Sequence, residues 1–68
     1  MTKAKLDKQL QELRIGATEL VAEMGYIDDA MAFDIADGFI SDPEVMKAIK
    51  KYYPSVKDIK GFVANHIA

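Results

Sequence analysis

The sequence has no cysteine and no tryptophan, only two prolines and four glycines, and a single histidine. Without cysteine, neither a disulfide framework nor a thiolate zinc site can staple a small fold. That lack also fits a reducing compartment, so the expected localisation is cytoplasmic. No apolar run approaches the roughly 18 residues that a membrane span requires. The basic start, Met1-Thr2-Lys3-Ala4-Lys5, leads into no apolar stretch and does not read as a secretory signal. There is no internal repeat and no low-complexity tract. Neither sign of charge dominates: 9 Lys+Arg face 11 Asp+Glu, for a net charge of −2 and a pI near 5.2. What is present is apolar content, 50% of the chain, too much for a disordered segment. With 68 residues the expectation is one helical domain spanning 1–68. A core of that size is marginal unless it is helical and well packed, or shared with a partner.

The periodicity predicts an all-α fold of four helices, one long and three short. Leu6, Leu10, Leu13, Ala17, Leu20 and Met24 recur at alternating spacings of 4 and 3, a helical stripe with heptad character. Helix 1 is expected over Lys3 to Met24, stopped by Gly25 in a left-handed cap. Asp28-Asp29 offers carboxylates for the start of helix 2, which runs to about Ile40. Ser41-Asp42-Pro43-Glu44 starts helix 3, either with Asp42 as cap and Pro43 first in the helix, or as a capping box from Ser41 to Glu44. Pro54 ends that helix at Tyr53. Ser55, with Asp58 three residues on, is expected to cap helix 4, which runs to about His66. The connections are expected to be roughly two to four residues long. Helix 2 is apolar around most of its circumference, interrupted by Asp34 and Asp37, and is the candidate centre of the fold.

Helix 1 is long for such a small globule. Its 22 residues reach about 33 Å, roughly twice the length of each of the others. Ile15 lies opposite the Leu6-to-Met24 seam, where a single chain would leave it in water. Two outcomes are open: helix 1 breaks near Gly16, or part of it packs on a second copy. The second gives a homodimer with Leu6, Leu10, Leu13 and Ile15 at the interface.

Charge is sorted along the chain. Residues 1–14 carry four positive and two negative side chains. Residues 15–42 carry seven negative and none positive, and residues 43–68 carry five lysines against two acids. Helix capping and solvation account for much of this without any partner. The remaining reading is an acidic contact face built on Glu19, Glu23, Tyr26, Asp34 and Asp37.

Chemistry is sparse. His66 lies near a helix C-terminus, where the helix dipole alone favours a cation. Ser41 and Ser55 read as caps, not nucleophiles. Asp34, Asp37 and Gly38 lack the alternating oxygen ligands of a calcium loop, and the isolated glycines make no phosphate loop. No catalytic, cofactor-binding or metal-ligating residue is assigned, and the chain is not expected to be an enzyme. The leading expectation is a small accessory or regulatory protein, of the kind phages and bacteria encode, acting by protein–protein binding as a homodimer. The alternative is a helix-turn-helix-like DNA-binding regulator using residues 43–67, with contacts from Lys47, Lys50, Lys51, Lys57 and Lys60. A pI near 5.2 lacks the basic footprint that this alternative calls for.

Overall fold

A computed structural model describes residues 1–67. Thr2 opens α1: its hydroxyl accepts from the Lys5 amide at 3.2 Å, satisfying one of the donors that a helix start leaves free. α1 then runs over Lys3–Met24 without a break at Gly16. Gly25 stops it at φ 89°, and its amide donates to the Val21 carbonyl at 2.7 Å. That left-handed geometry suits glycine because no Cβ meets the backbone.

α2 covers Asp29–Ile40, opened by the Asp28 carboxylate accepting from the Met31 amide at 2.8 Å. α3 covers Pro43–Tyr52. Its cap is Asp42, which accepts from the Glu44 amide at 2.9 Å, with Pro43 first in the helix. Ser41 takes no part in that start. It closes the end of α2 instead, donating to the Gly38 carbonyl at 2.6 Å.

α4 begins later than the sequence suggests, covering Ile59–Ile67. Its cap is Asp58, not Ser55: the Asp58 side chain accepts from the Gly61 amide at 3.0 Å. The Asp58 carbonyl accepts from the Phe62 amide at 2.9 Å. Residues 53–58 form a connection of six, longer than expected, turned by the Val56 amide donating to the Tyr53 carbonyl at 3.0 Å. Gly61 makes room for the cap, since a Cβ there would lie within 2.4 Å of an Asp58 carboxylate oxygen.

The centre of the fold is α4, not α2. α4 packs on both α1 and α2, and α3 also touches both of them. α2 and α4 run antiparallel, with Asp37 beside Lys60 at one level and Asp29 in the same groove as Asn65 further along. α2 buries only its small residues, Ala32 and Ala36, while Ile35, Phe39 and Ile40 are half-covered. Leu6, Ile49 and Val63 are the largest fully buried side chains. Each stabilises the fold by roughly 1.5–3 kcal/mol on apolar burial.

The α1 seam is covered as far as Ala17 and is lost beyond it. Leu6, Leu10 and Ala17 are buried, Leu13 and Leu20 are half-buried, and Met24 is 54% exposed. The neighbouring helices are too short to follow α1 to its end, and its length sets the long axis of the 35 × 21 × 18 Å molecule. This corrects half of the expected oligomer interface. Leu6 and Leu10 are consumed by the chain's own core. Leu13 packs partly against that core, and only Ile15 of the four faces solvent.

Candidate partner-binding surface

Five large hydrophobic side chains are exposed among the described residues: Ile15, Val21, Met24, Tyr26 and Phe33. All five fall between residues 15 and 33, inside the stretch whose seven charged side chains are all acidic. Single exposed hydrophobes need no explanation. Their confinement to one quarter of the chain, with the most acidic surroundings, does need one.

They occupy distinct places. Ile15 sits on the outer face of α1, with Glu19 and Glu23 following at four-residue steps on the same side. Val21 and Met24 lie at the uncovered end of α1. Tyr26 follows in the short connection and is 62% exposed, the highest of the five. Phe33 projects from α2 beside a groove between α2 and α4, lined also by Asp29, Ala32, Asp58, Gly61 and Ala64. Small residues on both helices leave that groove open.

The expected acidic face is therefore not continuous. Glu19, Glu23 and Asp34 are exposed and form no ion pair among the described residues. Asp37 is paired with Lys60 at 2.8 Å, and the same ammonium lies 5.5 Å from the Phe33 ring centre. Such an exposed pair is worth about 1 kcal/mol or less, but it removes Asp37 from the free acidic surface and Lys60 from any free basic one. Met24, Val21 and Phe33 are absent from the contact residues that the sequence suggests. Met24 reads as the last seam position, and Phe33 reads as core. The signal that points to Met24 is the length mismatch between α1 and its neighbours; nothing in the spacing marks Phe33.

Of the lysines proposed for DNA, Lys47 and Lys51 line one cleft with Met1 and Glu44, and Lys60 is paired with Asp37. Lys47, Lys50, Lys51 and Lys57 are exposed, and Lys51 lies 5.2 Å from the Tyr52 ring centre. A six-residue connection separates α3 from α4, where a helix-turn-helix uses three or four. The start of α4, which would enter the groove, carries the capping carboxylate of Asp58.

A polar cluster joins α1, α3 and α4 on another side. The Tyr53 hydroxyl donates to the Asp7 carboxylate, which raises the Tyr53 hydroxyl above its ordinary pKa; partial burial and the Asp7 charge act in the same direction. Lys3 lies 5.5 Å from the same ring. Tyr53 packs on Phe62 at 5.1 Å, and Phe62 meets the His66 ring edge-on at 4.8 Å. His66 donates from Nδ1 to the Phe62 carbonyl at 2.9 Å, its one hydrogen bond among the described residues. Asp7, Arg14, Tyr53 and His66 line one open cleft with Leu10 and Gln11. Among the described residues, no three carboxylate or imidazole groups gather where they could share a metal ion. No described helix is long and apolar enough to cross a membrane.

Compared with protein-family models, curated proteins and solved structures, the chain matches none of them.

Proposed function

We propose that this chain is a non-enzymatic accessory or regulatory protein of the cytoplasm that acts by binding other proteins and works as a homodimer. The observation that carries the reading is the confinement of every exposed large hydrophobe to residues 15–33, within a segment bearing only acidic charge. Apolar anchors ringed by carboxylates suit a partner surface with apolar pockets and a basic rim, because complementary charge steers and orients the encounter while burial of the anchors holds it. Met24 and Tyr26, adjoining at the free end of α1, are the anchors for the heterologous partner.

Affinity capture from cells that express the protein tests this. The expected result is one co-purifying protein retained by the wild type and lost with the double variant Met24→Ser/Tyr26→Ser, whose circular dichroism and melting stay unchanged. Equal capture by both forms contradicts the reading. Binding to duplex DNA at low salt that is abolished by Lys57→Glu favours the DNA-binding alternative instead.

A further inference from the structure

The first helix carries its charges the wrong way round. A helix dipole favours acids at the N-terminal end and bases at the C-terminal end. α1 has no acidic residue in its first turn and no basic residue in its last. Its first turn holds Lys3 and Lys5, with Lys8 one turn on, and its last holds Glu23, with Glu19 one turn before. Lys5 and Lys8 stand three residues apart, and Glu19 and Glu23 stand four apart, so each end also sets like charges side by side. None of these residues forms an ion pair among the described residues, and all are exposed.

Apart from Lys3, which lies by the Tyr53 ring, these side chains share one face. Lys5, Lys8, Glu12, Ile15, Glu19 and Ala22 follow one another at spacings of 3, 4, 3, 4 and 3, a second seam directly opposite the buried one. The two ends of this seam are opposite in sign and equidistant from a midpoint between Glu12 and Ile15. Beside the midpoint sits Ile15, 52% exposed. Gly16 beside it has open space where a Cβ would be, so a second backbone meets no side chain there. α1 runs continuously through that position, which keeps the seam in one line.

We infer that the homodimer forms by antiparallel packing of the outer faces of two α1 helices across a twofold axis near Glu12 and Ile15. The inference rests on the reading above that the chain is a homodimer, and it specifies the surface. In that register Lys8 meets Glu19 of the second copy, Lys5 meets its Glu23, and the two Ile15 side chains flank the axis. Each lysine end then gains carboxylates, and each glutamate end gains ammonium groups, which corrects both helix dipoles at once. Parallel pairing sets lysine against lysine and is excluded by the same charges. The contact is isologous and closes on itself. It leaves Met24, Tyr26 and Phe33 free for the heterologous partner. With one large apolar side chain per copy it belongs among the small, salt-sensitive interfaces.

Sedimentation of the full chain at about 10 mM salt, where screening is weakest, tests this directly. The wild type is expected at twice the 7.6 kDa chain mass. Ile15→Glu is expected to halve that mass, while Met24→Ser/Tyr26→Ser leaves it unchanged. The variants Lys5→Glu/Lys8→Glu and Glu19→Lys/Glu23→Lys are each expected to be monomeric, with self-association weakened by about tenfold or more. Mixed in equal amounts they are expected to form a heterodimer, because every charge pair is restored. A wild-type monomer at all concentrations overturns the inference, and with it the homodimer part of the proposed function. A dimer that survives Ile15→Glu, or a mixture that stays monomeric, also overturns the inference. Partner capture is scored separately. A monomer that still captures its partner through Met24 and Tyr26 sinks this inference and the homodimer reading and leaves the partner-binding reading standing, whereas a dimer that survives Ile15→Glu sinks this inference alone.

Discussion

α3 and α4 have acidic groups at their starts and basic groups at their ends, and α2 has acids at its start with no base in its last turn. Asp28 and Asp29 open α2, Asp42 and Glu44 open α3 and Asp58 opens α4. Lys50 and Lys51 close α3, and His66 closes α4. α1 reverses the pattern and also leaves its final turns uncovered. α3 and α4 are thus locally self-consistent in caps and dipole, and the acid near the end of α2, Asp37, is paired by Lys60 of α4. The long helix is consistent only on the side that faces the core. Its other side becomes consistent when a second helix of opposite direction is laid against it. Local conflict in a sequence whose other parts agree with the fold is a pointer to function.

The largest effect should separate the two sides of α1. Leu6→Ala removes a side chain with no exposure and is expected to cost about 2–5 kcal/mol. Ile15→Ala, about two and a half turns along and so on the outer face, should change the stability of the dilute monomer by less than about 0.5 kcal/mol. Denaturant unfolding of both variants measures the contrast, and equal losses would mean that Ile15 is held by its own chain.

Next in size is the start of α4. Asp58→Ala should cost about 1 kcal/mol by removing the cap. Gly61→Ala should also destabilise, since its methyl group collides with the Asp58 carboxylate. In the Asp58→Ala background the same Gly61→Ala change should stabilise, by up to about 1 kcal/mol, because helix propensity is then the term that remains. A double-mutant cycle reads the change of sign. Gly16→Ala in α1, where a Cβ meets nothing within 4 Å, should stabilise the dilute monomer outright by a comparable amount.

The Tyr53–Asp7 hydrogen bond ties α1 to the end of α3. Tyr53→Phe should cost about 1 kcal/mol at neutral pH. Because the folded-state pKa of Tyr53 lies above its unfolded value, the linked stability is fully present below the unfolded pKa of about 10. It is lost as pH rises through the folded pKa. Melting curves at increasing alkaline pH should show this loss in the wild type and not in Tyr53→Phe. The smallest expected effect is that of Lys5→Glu/Lys8→Glu on the dilute monomer, a gain of a few tenths of a kcal/mol from a better-matched helix dipole.

The chain ends of the helices were largely written in local chemistry. Gly25 at φ 89° and Asp42-Pro43 at the start of α3 act where their residue types indicate. Where two local signals competed, the sequence could not choose between them. Ser55 and Asp58 both look like caps, and Asp58 prevails in a fold where Tyr53 stacks on Phe62. The identity of the central helix depended on tertiary packing. α2 is the most apolar segment, yet much of that apolar character is alanine, which buries little area and leaves Phe33 outside. For the candidate surface, Ile15, Glu19, Glu23 and Tyr26 were legible from the seam and the charge pattern. Val21, Met24 and Phe33 were not, because their exposure follows from how far the short helices reach. Leu6 and Leu10 were misplaced for the converse reason: a heptad stripe looks the same whether its own chain or a second copy covers it.

The thermal unfolding of wild type and Lys5→Glu/Lys8→Glu, compared across protein concentration at low salt, tests the intermolecular role of the outer face of α1 most directly. The variant should be the more stable of the two when dilute, where only the helix dipole acts. The wild type should be the more stable when concentrated, where the second copy supplies the missing carboxylates. A crossing of the two melting temperatures as concentration rises is the predicted result. The same order of stability at every concentration would contradict the account.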